Sequence, residues 1–399
     1  MLTDRLIHPD YRDLVSAQTE HEQRLLALPN VVGVGLGTKH TQGKDTGKKC
    51  LSVLVDMKLD QDLLGRNELV PATVGKLPTD VYEVGVLQAG AGPALAPTLV
   101  PEWVETTGRE REPSGFQTIL DELSPAQREQ LAATVWGSRT HAGLAAPTPH
   151  PVSAARMRPA IGGASIGHYR GTAGTLGICC YDDAAAQAGG LQRFYLLSNN
   201  HVLANCNDAA IGDPILQPAP ADGGQTNGDT IGRLARFVPI RFTRDTAPVS
   251  TDGAHVPVNF VDAAIAEGRF DQLDRRIHWI GDVRAGNPMA EVGSVVQKCG
   301  RASHYTTGTI AAVNATVHVN YPNGRVARFA KQIVCHGLSS GGDSGAVVTD
   351  LEQRAVGLLF ATSQVVSVLN PMPLVEQLLG VRITQPAVDS RNSRHTNGR

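Results

Sequence analysis

From Ile161 to Thr362 the chain reads as a succession of short apolar runs, each broken by Gly, Asp, Asn or Pro. The runs are "GTLGICCY", "RFYLLSN", "TIGRLARFVPI", "VDAAIAE", "VVQKCG", "TGTIAAVNATVHVNY", "ARFAKQIVC", "GAVVTD" and "AVGLLFA". They are rich in β-branched and aromatic residues and too closely spaced for intervening helices. Such a pattern predicts an all-β barrel or sandwich and argues against βαβ units. "NPMPLVEQLLG" then reads as a short closing helix, with Gly380 placed to end it.

The remainder has a different texture. Residues 10–28 place Leu14, Ala17, His21, Leu25 and Leu28 at helical intervals with charges between them. "NVVGVGLG" and "CLSVLVDMKL", on either side of the polar "TKHTQGKDTGKK", predict a β-hairpin, and "LVPATVGKLPTDVYEVG" adds one or two strands. Residues 1–88 are therefore expected to form a small α+β unit. Residues 89–160 are rich in Pro, Gly and Ala, interrupted by one helix where Ser124, Pro125 and Gln127 suit its first turn. The β-rich domain should span 161–383, with a polar, disordered tail over 384–399.

The 36 basic and 38 acidic residues leave a formal charge of -2, without long blocks of one sign, so neither nucleic acid nor an anionic membrane is an expected partner. The opening "MLTDRLIHPDYRDL" lacks the basic start and apolar stretch of a signal peptide, and no apolar window would span a bilayer. A cytoplasmic protein is expected. The six cysteines have no dense, regular framework, which favours reduced thiols. Cys179, Cys180 and Cys206 lie near His201 in sequence, but paired C-x-x-C knuckles are missing and no metal or cofactor is expected.

One turn stands out for its chemistry. In "HGLSSGGDSGAVV", Ser344 lies between Asp343 and Gly345. A serine becomes a nucleophile only when a base takes its proton and a third group orients that base. His201, at the end of the strand-like "FYLLSNNHVLA", is a candidate base. Asp262 in "VNFVDAAIAE" is a lone carboxylate in an apolar strand, where desolvation calls for a partner such as an imidazole. Taken singly, the serine suits a polar hairpin, the histidine a structural site and the aspartate a turn cap.

Together, the order His201, Asp262, Ser344 and the full Gly342-Asp343-Ser344-Gly345 match resemble the chymotrypsin-fold serine peptidases. Ala346 stands where that family usually has glycine. A closer similarity, through "GTAGTLG", "LLSNNHVLA", "ILQPAPADGG", "VDAAIAE", "TTGTI" and "GDSGAVV", is to the trypsin-like family that includes the plant Narrow Leaf proteins and bacterial relatives, over residues 161–383. The resemblance implies two six-stranded antiparallel β-barrels behind the small α+β unit. It implies a serine endopeptidase acting on polypeptide through His201, Asp262 and Ser344, with Gly342 and Ser344 N–H groups forming the oxyanion hole. By the same analogy Leu338, six residues before the serine, would line an apolar specificity pocket. Asp343, which pairs with a new amino terminus in zymogen-activated relatives, is expected to find an internal partner here.

Other readings compete. Gly163-Ala164-Ser165-Ile166-Gly167 fits the nucleophile-elbow pattern, but its surroundings lack the strand-to-helix context. "GVGLGTKHTQGKDTGKK" does not fit a phosphate-loop frame. A catalytically silent peptidase fold serving as an interaction module is the principal alternative, with the N-terminal unit serving homo-oligomer assembly. A third reading has the enzyme cutting only one partner or its own 90–155 segment.

Overall fold

The computed structural model describes residues 6–41, 44–59, 61–65, 67–90, 152–182, 193–243, 256–286 and 289–384. The expected helix at Ser124 and the tail beyond 384 lie outside them. Helix α1 (Arg12–Leu26) buries Leu14, Gln18, Leu25 and Leu26 against the hairpin of β1 (Val31–Thr41) and β2 (Lys44–Val55). Strand β3 (Leu77–Glu83) runs parallel to β2. Gln18 is buried on this face, while its neighbour Ala17, the residue expected there, is only partly buried. The Gln18 amide donates to Asn314 O and accepts from Asn314 Nδ2, both at 2.8 Å, so its burial leaves no polar group stranded.

The first barrel comprises β4 (Ser165–His168), β5 (Gly174–Thr175), β6 (Ile178–Tyr181), β7 (Phe194–Ser198), β8 (Pro214–Leu216), β9 (Thr230–Phe237) and β10 (Ala264–Gly268). The hydrogen-bonded order is β5-β4-β8-β9-β10-β7-β6, every neighbouring pair antiparallel. β5 and β6 are two halves of one bent segment, so the path closes on itself as six strands. Inside sit Ile166, Leu176, Leu196, Ile215, Leu234 and Ala264.

The second barrel contains β11 (Val295–Gly300), β12 (His304–Asn320), β13 (Val326–His336), β14 (Val347–Asp350), β15 (Arg354–Thr362) and β16 (Val366–Pro371). Its order β13-β16-β15-β14-β11-β12 is closed by the β12–β13 pairing. Helix α2 (Met372–Leu379) follows, capped by Gly380 in the left-handed region. The fold is thus mainly β, with two six-stranded antiparallel barrels. Each predicted run from 161 to 362 appears as a strand or part of one.

β12 is long enough to serve two neighbours on one side. Val295 to Gly300 pair with its first half, and Gly33 to Gly37 of β1 pair with Ala312 to Val317 in its second half. The N-terminal hairpin therefore continues the sheet of the second barrel. No helix among the described residues is long and apolar enough to cross a membrane.

Candidate active site

Strand β7 ends at Ser198, and one helical turn, Asn200–Leu203, carries His201. Asp262 lies just before β10 and is completely buried. Its backbone is fixed at both ends: Asn370 Oδ1 accepts its N–H at 2.9 Å, and Asn199 Nδ2 donates to its carbonyl at 2.7 Å. The carboxylate accepts three hydrogen bonds. They come from His201 Nδ1 at 2.6 Å, the His201 backbone N–H at 3.2 Å and the Tyr321 hydroxyl at 2.7 Å. Two bonds from one residue fix both the ring and the main chain that bears it.

An acid-only acceptor beside Nδ1 selects the tautomer protonated there and leaves Nε2 as the basic nitrogen. That Nε2 is buried and has no hydrogen-bond partner. Burial first, and the Asp262 charge second, push the Tyr321 hydroxyl well above its ordinary pKa. It therefore stays protonated and remains a donor to Asp262.

The serine turn docks across the two barrels. Ser344 O accepts from Thr175 N–H at 2.7 Å, Thr175 Oγ1 donates to Gly342 O at 3.1 Å, and Gly345 N–H donates to Leu359 O at 2.8 Å. Ser198, at the end of the strand delivering His201, donates to Thr175 O at 2.8 Å. Contact is close enough to require glycine at 345: its φ is +96°, and a Cβ there would come within 2.1 Å of Ser198 Oγ. Gly342 also has positive φ, +102°. Among the described residues neither Gly342 N–H nor Ser344 N–H donates to another group, whereas Asp343 N–H donates to Ser340 O at 3.1 Å.

Asp343 has the internal partner expected of it. Its carboxylate lies 3.0 Å from Lys298 Nζ, both side chains being fully buried. It also accepts from Ala302 N–H at 2.8 Å, Ser303 N–H at 3.0 Å, Ser340 N–H at 3.0 Å and the Ser303 hydroxyl. Burial alone would raise its pKa; the Lys298 charge and these donors outweigh it and hold the carboxyl below the usual range. The lysine ammonium completes its own shell with Ser303 Oγ at 2.6 Å and His304 O at 3.1 Å. A buried ion pair with every donor and acceptor engaged fixes the main chain on either side of Ser344. Gly300 makes room for it, since a Cβ there would meet Asp343 Oδ1 at 2.3 Å.

Leu338, expected to line the specificity pocket, is buried. Its side chain is packed in the barrel core with Leu36, Ile310 and Leu359, and its carbonyl accepts from Thr306. The next residue, Ser339, instead joins the Thr362 hydroxyl at 3.2 Å and Ser367 Oγ at 2.6 Å. Ser339, Thr362 of β15 and Ser367 of β16 thus form a polar trio.

Ser165 is buried, accepting from Ala219 N–H at 3.0 Å and donating to Asp222, so its role is structural. All six cysteines are free and buried. Burial lifts Cys179 to about 11 and Cys206 to about 12, so both rest as thiols. Among the described residues no group of His, Cys, Asp and Glu is arranged to hold a metal. The residues missed from sequence are Tyr321, Lys298, Asn199 and Asn370. Lys298 carried a signal: a lone ammonium in the apolar run "VVQKCG" needs a buried counter-charge just as Asp262 does.

Two closed six-stranded barrels, the first bearing His201 and Asp262 and the second Ser344, constitute the chymotrypsin-like fold. No family model matches the chain, and no curated protein matches it. Among solved structures it is similar to Thermobifida fusca Protease A, with 15% identity over 57% of this chain and 98% of the other, at a TM-score of 0.38. A Nocardiopsis protease has 17% identity over 56% and 98%, with a TM-score of 0.35. Cellulomonas bogoriensis chymotrypsin has 18% identity over 56% and 96%, also at 0.35.

Proposed function

We propose that the protein is a serine endopeptidase with Ser344 as nucleophile, His201 as general base and acid, and Asp262 as the group that orients His201. One observation carries the reading. The imidazole is clamped through Nδ1 by a fully buried carboxylate, and its Nε2 is left without a partner. Ser344 Oγ does not hydrogen-bond to that nitrogen in this structure, so in this reading the serine closes on Nε2 when substrate binds.

In this reading Ser344 Oγ bonds to the carbonyl carbon of a peptide while its proton passes to His201 Nε2. The carbonyl oxygen becomes an oxyanion facing the N–H groups of Gly342 and Ser344, each donor contributing about 3 kcal/mol. Collapse breaks the C–N bond, and His201 returns the proton to the leaving amine. Water then repeats the sequence on the acyl-enzyme. The Asp262 carboxylate stabilises the imidazolium in both halves, and Tyr321 holds that carboxylate in place.

Ser367 is buried, and the partly exposed hydroxyls of Ser339 and Thr362 favour a side chain before the cleaved bond that is small or accepts hydrogen bonds, rather than a bulky apolar one. A substrate library enriched in large aliphatic residues there would refute this. A relation to the Narrow Leaf-type peptidases fits the motifs of residues 161–383. Six buried thiols, two of them adjacent, suit a reducing compartment such as the cytoplasm.

Fluorophosphonate labelling of the full chain tests the activity. Labelling that disappears in Ser344→Ala is expected. Failure of the folded wild-type protein to label would favour the silent interaction module. Turnover should fall by on the order of a million-fold in Ser344→Ala or His201→Ala, and the double variant should be little worse.

A further inference from the structure

Strand β15 continues past the serine turn. Its Leu359 carbonyl takes the Gly345 N–H, and its pairing with β14 ends at Leu358, so residues 360–362 present an edge beside the turn. Such an edge is where an extended peptide adds as a further strand. It is already filled. Gln88 N–H donates to Thr362 O and Thr362 N–H to Gln88 O, both at 2.9 Å. On the other side, Ala89 N–H donates to Asn320 O and Asn320 N–H to Leu87 O, again at 2.9 Å.

These four bonds make residues 87–89 a strand laid between β15 and the end of β12, antiparallel to β15. Leu87 and Ala89 are buried and pack in the cluster containing Phe360, Tyr321 and Phe329. The direction is informative. Gly85 faces Ser363, while a Cβ on Gly90 would lie 3.9 Å from His201 Cδ2. The segment thus runs toward the catalytic histidine. At Gly90 it departs from extended geometry: φ is +92°, in the left-handed region. An acyl-side peptide aligned for attack stays extended up to the reacting carbonyl, and Gly90 does not.

We propose that residues 87–90 are a built-in competitive inhibitor, occupying the groove in which peptide substrates bind, with Gly90 out of the extended geometry that attack by Ser344 requires. Its consequence for turnover rests on the peptidase reading, but occupation of the groove does not. A segment tethered in the same chain acts at an effective concentration of about millimolar, enough to exclude weakly binding peptides. A productive substrate must displace it and take over the Thr362 and Asn320 backbone groups.

Binding to an inert enzyme separates the two ideas. A fluorescein-labelled peptide of sequence Val-Leu-Gln-Ala would be titrated into full-length Ser344→Ala, with and without Gln88→Pro, which deletes the N–H that reaches Thr362. Leu87→Ala, which keeps every backbone bond, serves as a second variant, and thermal melts confirm that each is folded. Affinity at least ten-fold tighter with Gln88→Pro, and shifted the same way by Leu87→Ala, is the expected result. Equal affinities, or no binding to any variant, would overturn the proposal. So would a wild-type chain cut after Gly90, because the segment would then be a substrate. Fluorophosphonate labelling with unchanged peptide affinity retains the peptidase and discards the inhibitor. Tighter binding without labelling does the reverse.

Discussion

Tyr321 is the residue whose contribution is easiest to isolate. Its hydroxyl is the donor to Asp262 that does not come from His201, and hydrogen bonds to a charged acceptor are worth about 1.5–3 kcal/mol. Tyr321→Phe should lower kcat by roughly ten-fold or more with KM little changed, since it touches the orientation of the base rather than the substrate. Steady-state kinetics on a cleavable peptide would show it; an unchanged kcat would refute the role. Lys298→Met makes a sharper case. It leaves Asp343 as a buried charge without its cation and should cost about 3–5 kcal/mol in urea denaturation, while adding Asp343→Asn should recover part of the loss. Both partners of these pairs differ in how visible they are to sequence reading. Asp262 and Ser344 stand in motifs, whereas Tyr321 follows an unremarkable β-run and meets Asp262 only because β12 ends beside it.

At the level of elements, the strands were legible because their apolar runs are short and punctuated, and the closing helix because Gly380 marks its end. Register was not legible. How the bulges of β12 set its residues against those of β13 is decided by pairing between distant strands, which composition does not encode. The docking of the serine turn on β5 and β7 is likewise a product of closure between barrels. It leaves a testable mark at Gly345, where a side chain would strike Ser198 Oγ and Thr175 O while adopting φ of +96°. Gly345→Ala should lose about 3 kcal/mol or more and abolish fluorophosphonate labelling. A stable, labelled variant would show that the turn can relax away from β7.

Across the whole molecule, several buried carboxylates lean the stability curve in one direction. Asp343 is held below its ordinary range despite burial, which opposes ionisation, because Lys298 and its hydrogen-bond donors prevail; Asp222 is lowered likewise, Arg301 and Ser165 outweighing burial. A depressed folded-state pKa gives stability that is present above the unfolded value, about 3.9, and lost as pH falls through the folded one. Denaturation midpoints should therefore drop between pH 5 and pH 3, and less steeply in Lys298→Met/Asp343→Asn. A second expectation concerns the N-terminal hairpin. The sequence changes texture near residue 160, which invites cutting the chain there to obtain the double barrel alone. Yet β12 gives half of one side to β1, with Gly33 opposite Val317 and Gly37 opposite Ala312. Residues 161–383 alone would bare that backbone together with the apolar faces that Val34 and Leu36 cover, and size-exclusion chromatography should find the fragment aggregated or self-paired. Swapping, shuffling or fusing this chain by its apparent sequence modules would then fail for a mechanical reason: the seam runs through the middle of a strand pair, so whatever is inherited or engineered must carry both halves.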